Sequence, residues 1–232
     1  MRVTSGVFRG RLLRTPRGIR PTQDRVRKSL FDVLGKDVPG RRVLDLFAGS
    51  GALGVEALSR GAVSALFVDE DAGAVRAILD NLMDLRLVEK KAEGSPSIRP
   101  YGATRDERNR LPRVGPQARI EGQKADVEVW RADYRQAVRR MEREERAFDL
   151  IVLDPPYREG LLPEVLQALT GAGAIAPAGL VVAEAEEGLP APEADGLALI
   201  DERAYGGTKL MFWLNQGSGA GGQGPGKDKG DL

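Results

Sequence analysis

Val43-Leu44-Asp45-Leu46-Phe47-Ala48-Gly49-Ser50-Gly51-Ala52-Leu53-Gly54 is the stretch that decides the fold. A short apolar run carrying one acid reads as a buried strand, and the residues from about 51 to 60 read as a helix. Between them lies a glycine turn. Gly49, Gly51 and Gly54 match G-x-G-x-x-G, which lets a backbone approach a ligand closely at a helix N-terminus.

The same strand–turn–helix rhythm repeats outward. Ser64 to Val68 predicts a strand and 71–83 a helix. Val127 to Trp130 predicts a strand and 133–146 a helix. Phe148 to Leu153 predicts a strand, with a helix near 160–169, and Leu180 to Glu184 a fifth strand. Leu197 to Glu202 and Lys209 to Leu214 are two further strands with no helix between them. Such alternation specifies an α/β fold with a parallel sheet covered by helices on both faces. The last pair specifies an antiparallel hairpin at the edge, for seven strands in all. Residues 1–14 predict a small N-terminal β-hairpin. The Pro21-Thr22 step opens a helix, with Thr22 as N-cap and Val26, Leu30, Val33 and Leu34 on one face. The expected organisation is a basic hairpin and helix over 1–40 and a main domain over 41–214. An inserted surface loop over about 86–125, rich in charge and holding four prolines, interrupts it, and a Gly-rich disordered tail follows over 215–232.

Composition removes whole classes of chemistry. Among 232 residues there is no His and no Cys, which excludes Ser-His-Asp and Cys-His catalysis, disulfides and zinc sites built on the usual ligands. No metal is expected. No window has the roughly 18 apolar residues of a membrane span, and no apolar leader follows Met1, so a cytoplasmic protein without membrane contact is expected. The net charge of +1 hides an asymmetry. Residues 1–30 carry nine Lys/Arg against one acid, leaving 26 basic and 33 acidic residues for the rest. A basic arm on a mildly acidic body points to phosphate contacts.

A glycine turn followed about 20 residues later by an acid, Asp69, also fits a dinucleotide site. Asp45 discriminates. A carboxylate ending the first strand would repel a diphosphate, but suits S-adenosylmethionine, which has no phosphate and carries an ammonium and a sulfonium. In this reading the turn residues Phe47, Ala48, Gly49, Ser50 and Gly51 hold the amino-acid end of the cofactor. Asp69, with Glu70 as its alternative, takes the ribose, and Asp133 the adenine amine. Taken singly, a turn glycine or a helix N-cap would explain several of these residues; together they describe one ligand at the carboxyl ends of parallel strands.

Asp154-Pro155-Pro156-Tyr157 follows the fourth strand. Two prolines stiffen the loop and remove N–H donors. A planar exocyclic amine is a weak nucleophile and needs acceptors for both N–H groups; the Asp154 carboxylate and Pro155 carbonyl can supply them, while Tyr157 stacks on the ring. A base in a duplex must be flipped or already unpaired to enter.

Arg20-Pro21-Thr22-Gln23-Asp24-Arg25-Val26-Arg27-Lys28-Ser29-Leu30-Phe31, Leu44 to Arg60 and Asp154 to Tyr157 together resemble the RsmD family, bacterial methyltransferases acting on guanine N2 of 16S rRNA. The resemblance covers about residues 1–85 and 126–214. It implies a class I, Rossmann-like S-adenosylmethionine methyltransferase and a small-subunit ribosomal particle as partner; a monomer is expected. It implies that Arg9, Arg11, Arg20, Thr22, Arg25, Arg27 and Lys28 grip RNA over the site. The 86–125 segment is longer than the family's usual link. The alternatives are methylation of adenine N6 in DNA or of a protein glutamine, where Asn more often replaces Asp154, and an RNA-binding module without catalysis. A dehydrogenase is disfavoured by Asp45.

Overall fold

The structure, a computed structural model, describes residues 1–15, 24–88, 118–120, 123–156 and 161–217. Arg20, Thr22 and Tyr157, most of the 86–125 segment and the tail beyond 217 lie outside them.

Among the described residues, eight strands form one sheet: β1 (Arg42–Leu46), β2 (Ser64–Asp69), β3 (Ala118–Ile120), β4 (Gln123–Arg131), β5 (Phe148–Leu153), β6 (Ile175–Glu186), β7 (Leu197–Tyr205) and β8 (Thr208–Asn215). Their order is β3-β4-β2-β1-β5-β6-β8-β7. The five strands from β4 to β6 run parallel, and β6-β8-β7 is antiparallel. The seven expected strands are present, and β3 is an eighth, antiparallel to β4. It falls inside the segment read as a loop. That segment also begins and ends in packed residues: Leu87, Val88 and Ala125 are buried. Asn215, placed in the tail by composition, instead closes β8, its amide donating to the Ile175 carbonyl at 2.9 Å.

Among the described residues, five α-helices cover the sheet: α1 (Asp24–Leu34), α2 (Ala52–Ser59), α3 (Ala72–Asp84), α4 (Tyr134–Arg143) and α5 (Leu161–Gly171). Strand alternation sorts the core into two layers. Val43 and Phe67 face one side with Phe31 of α1, Val55 of α2 and Ile78 of α3. Leu44 and Leu66 face the other with Met141 of α4 and Leu166 of α5. No helix among the described residues is long and apolar enough to cross a membrane.

The N-terminal segment is a hairpin, with Val3 N–H donating to the Arg11 carbonyl and Leu13 N–H to that of Met1. It lies across α2 and α3, and Val3 and Leu13 enter the first core layer. Residues 1–15 and α1 thus share a hydrophobic core with the main domain. The anchor is Glu56, fully buried in α2. It accepts from Thr4 N–H (2.8 Å), Thr4 Oγ1 (2.6 Å) and Ser5 N–H (3.0 Å). Two arginines surround the same carboxylate, Arg60 at 2.9 Å and Arg27 at 3.7 Å. At the hairpin tip, a Cβ on Gly6 would stand 1.7 Å from the Ser59 carbonyl oxygen, so only glycine lets the two backbones meet.

Candidate active site

β1 is the topological switch point of the sheet. β2 and β4 lie to one side, β5 and β6 to the other, and ligand crevices open at the carboxyl ends there. The register sets Leu46 beside Val68 and Leu153, and Asp69 beside Arg131, so β1, β2, β4 and β5 deliver their last residues to one rim.

The glycine turn is tightly built. Phe47 and Ala48 N–H both donate to the Val68 carbonyl at 3.0 Å, and Gly51 N–H donates to that of Ala48 at 2.7 Å. Gly51, the N-cap of α2, has φ 75°, a left-handed conformation that side chains rarely adopt. Phe47 has φ 68° without being glycine. Such strain costs of order 1–3 kcal/mol and clusters at functional sites. It sets the Phe47 ring 5.8 Å from that of Tyr134, at the start of α4. Gly54 serves packing: a Cβ there would sit 2.3 Å from the Phe67 ring, so α2 can lie directly on β2.

The acids converge as their spacing suggests. Asp45 is 1% exposed. Its Oδ2 accepts from Gly54 N–H at 2.8 Å, while its Oδ1 is buried with no hydrogen-bond partner. Burial pushes the Asp45 carboxyl well above its ordinary value, and the nearby Asp154 and Asp69 carboxylates push it further the same way. Asp69 accepts from Gly49 N–H (2.8 Å) and Asp71 N–H (2.9 Å), and burial raises it too. Three carboxylates close together at the carboxyl ends of the strands, one with an orphaned buried oxygen, would favour a cation and repel a diphosphate. These residues fit the ammonium and sulfonium of S-adenosylmethionine.

Asp133 is the N-cap of α4 and accepts from Gln136 N–H at 2.9 Å, so part of its role is structural. Its neighbour Tyr134 has its hydroxyl pushed up to about 12, by burial first and by Glu164 second. Glu70 is exposed, whereas Asp69 turns into the glycine loop, which favours Asp69 of the two. Ser50 is buried and its hydroxyl faces the Met1 sulfur at 3.9 Å, so its side chain serves the hairpin contact. Among the described residues no group of acids is arranged to hold a metal ion.

The arm residues divide. Arg9, Arg25 and Lys28 are exposed. Arg11 is exposed as well, although one guanidinium nitrogen donates to the Asp84 carbonyl at 2.9 Å. Arg27 corrects the expectation of an RNA contact: it is fully buried, bonded to the Arg2 carbonyl and paired with Glu56. The resemblance implied an RNA contact for it, but the N-terminal hairpin covers its side chain. Sequence reasoning also missed Glu56 and Asn81. The available signal was a single polar residue inside an otherwise apolar helical stripe.

This fold and this crevice define a Rossmann-like methyltransferase. The chain belongs to the RsmD family: the family model described as "Conserved hypothetical protein 95" matches residues 1–99 and 117–214. It is 32% identical over 220 residues to YlbH of Bacillus subtilis, covering 94% of this chain and all of that one. It is 30% identical over 223 residues to ribosomal RNA small subunit methyltransferase D of Escherichia coli K12, covering 94% and 92%. Among solved structures, yhhF from Escherichia coli superposes with a TM-score of 0.67 at 27% identity, over 93% of this chain and 98% of that one. SMU.776, solved in complex with SAH, shares the fold at a TM-score of 0.53 and 18% identity, over 89% and 52%.

Proposed function

We propose that this protein methylates the exocyclic N2 amine of a guanine in 16S rRNA, within a small-subunit particle, using S-adenosylmethionine. The observation that carries the reading is the meeting of Asp45, Asp69 and Asp154 around the glycine turn, with the Asp45 Oδ1 buried and unpartnered. When bound, the cofactor supplies a methyl group on a sulfonium leaving group.

The protein's residues do the rest. Asp45 and the backbone of residues 47–51 hold the amino-acid end. Asp69 takes the ribose hydroxyls alongside its backbone donors, since each carboxylate oxygen has a second lone pair. Asp133 and the Phe47–Tyr134 pair border the adenine. The Asp154 carboxylate and Pro155 carbonyl accept the two N–H groups of the guanine amine and aim its nitrogen. Asp154 also stabilises the positive charge that develops there and takes the proton that leaves the amine. Tyr157 stacks on the base. Positioning supplies much of the acceleration. Outside the crevice, Arg9, Arg11, Arg25 and Lys28 of the arm, with Arg20 and Thr22, grip the phosphate backbone, and the pocket selects the base. RNA as substrate is supported by the name of the Escherichia coli relative, and guanine N2 by the family resemblance.

The test is mass mapping of rRNA from small-subunit particles of a strain lacking this protein, before and after incubation with protein and cofactor. One N2-methylguanine should appear in 16S rRNA. The Asp154→Ala variant should lose at least about 100-fold in turnover while still binding the cofactor by calorimetry. Methylation of DNA or protein instead, or an unmethylated rRNA, would overturn the substrate assignment.

A further inference from the structure

Asn81 lies on the buried face of α3, 1% exposed, between Ile78, Leu82 and Leu85. A primary amide on such an apolar stripe must be satisfied, and Asn81 makes three hydrogen bonds. Its Oδ1 accepts from Arg14 N–H at 2.7 Å, and its Nδ2 donates to the Arg14 carbonyl at 3.0 Å and to the Ser50 carbonyl at 2.9 Å. Only one orientation of the amide satisfies all three partners. Arg14 directly follows Leu13, the last paired residue of the N-terminal hairpin, and Ser50 is the centre of the glycine turn. A single side chain therefore grips the backbone of both the arm and the cofactor loop. The Ser50 hydroxyl against the Met1 sulfur, at 3.9 Å, repeats the same connection.

We propose that Asn81 is a positioning residue that ties docking of the hairpin to the shape of the glycine turn, so that RNA held by the arm raises the affinity for S-adenosylmethionine and the cofactor tightens the grip on RNA. This rests on the functional reading above. Its energetic basis is linkage: two ligands that stabilise the same arrangement strengthen each other by the same factor. Aspartate would lose both donated bonds and leucine all three, although each has nearly the shape of asparagine.

Two measurements test it. In the first, amide hydrogen exchange is followed on the protein alone. Asn81→Leu should speed exchange at Leu13, Arg14 and Gly51 together, by about 10-fold, with Leu44 in β1 unchanged. Faster exchange in the hairpin alone would overturn the link. In the second, calorimetry measures cofactor affinity with and without small-subunit particles. The wild-type protein should show at least about 5-fold tighter binding with particles present, and Asn81→Leu should show none. Arg14→Pro, which removes one of the three bonds from the hairpin side, should lie between and serves should Asn81→Leu fail to fold. Asp84→Ala, which removes the Arg14 side-chain contacts at 3.1 and 3.0 Å and leaves the Arg14 backbone bonds to Asn81, should keep the full coupling. Coupling retained in Asn81→Leu would refute the proposal. If the wild-type protein binds no S-adenosylmethionine, the cofactor assignment falls, and exchange at Arg14 and Gly51 still decides whether Asn81 joins the two segments.

Discussion

Replacing Gly54 by alanine sets two effects of opposite sign against each other. Alanine in a helix is favoured over glycine by about 1 kcal/mol. Against that, the new methyl carbon would stand 2.3 Å from Cε1 and 2.7 Å from Cζ of Phe67. Carbon atoms rest at about 3.5–4.0 Å, so more than an ångström of separation must be found. Phe67 is fully buried in β2, and the Gly54 N–H bond to Asp45, the register partner of Phe67 on β1, holds α2 down on the sheet. Neither side yields freely, which puts the overpacking cost toward the upper part of its usual range of about 1–3 kcal/mol. The net loss is then about 1–2 kcal/mol, or a Tm lower by roughly 2–8 °C for a chain of this size. Differential scanning calorimetry reads it directly. The companion is Phe67→Leu, which removes the ring atoms that clash. If contact with the ring is the cause, the double variant is less destabilised than the sum of the singles, with a coupling of about 1 kcal/mol or more. A higher Tm in Gly54→Ala, or strictly additive singles, would refute the packing argument.

Asp45→Asn keeps the acceptor for Gly54 N–H and removes a carboxylate whose folded-state value is raised above its ordinary 3.8. A raised acid binds more protons folded than unfolded, so it costs stability progressively as pH rises from about 4 through the folded-state value. The variant should therefore gain Tm relative to wild type at pH 8 and gain little at pH 4, while calorimetry shows cofactor binding weakened at least about 10-fold; a stability difference independent of pH would count against the assignment. Glu56→Ala removes an acidic partner of the buried Arg27 and frees Thr4 and Ser5. Urea unfolding should show a loss of about 3–5 kcal/mol, and a loss under about 1 kcal/mol would show that the carboxylate is not the anchor.

Most of the sheet was legible because each element carried its own local signal. Phe148 to Leu153 is bounded as expected, and α2 and α3 fall within a residue or two of their periodicity. The acids were legible for a related reason: the end of a parallel strand fixes where a residue goes whatever the rest of the chain does. Contacts across long separations were harder. Arg27, Glu56 and Asn81 read as ordinary polar residues of helices, and what makes them structural is a hairpin about 25 to 67 residues away in sequence. Strand β3 was hidden because three residues inside a charged, Pro-rich segment show no period of their own. The strained Phe47 could not be foreseen, since its φ follows from the bonds its backbone makes to Val68.

The shared core beneath the N-terminal hairpin also bears on how such a protein can be redesigned. Val3 and Leu13 pack into the same cluster as Ala48 and Leu53, and the carboxylate that receives Thr4 and Ser5 belongs to the helix behind the glycine turn. The arm is therefore not a cassette. Grafting it onto another enzyme of this fold would strip away its hydrogen-bond acceptor, and excising it would bare Glu56 and an apolar face to water. A transplant of the arm must carry residues 1–15, α1 and the part of α2 that meets them together, as one inherited piece.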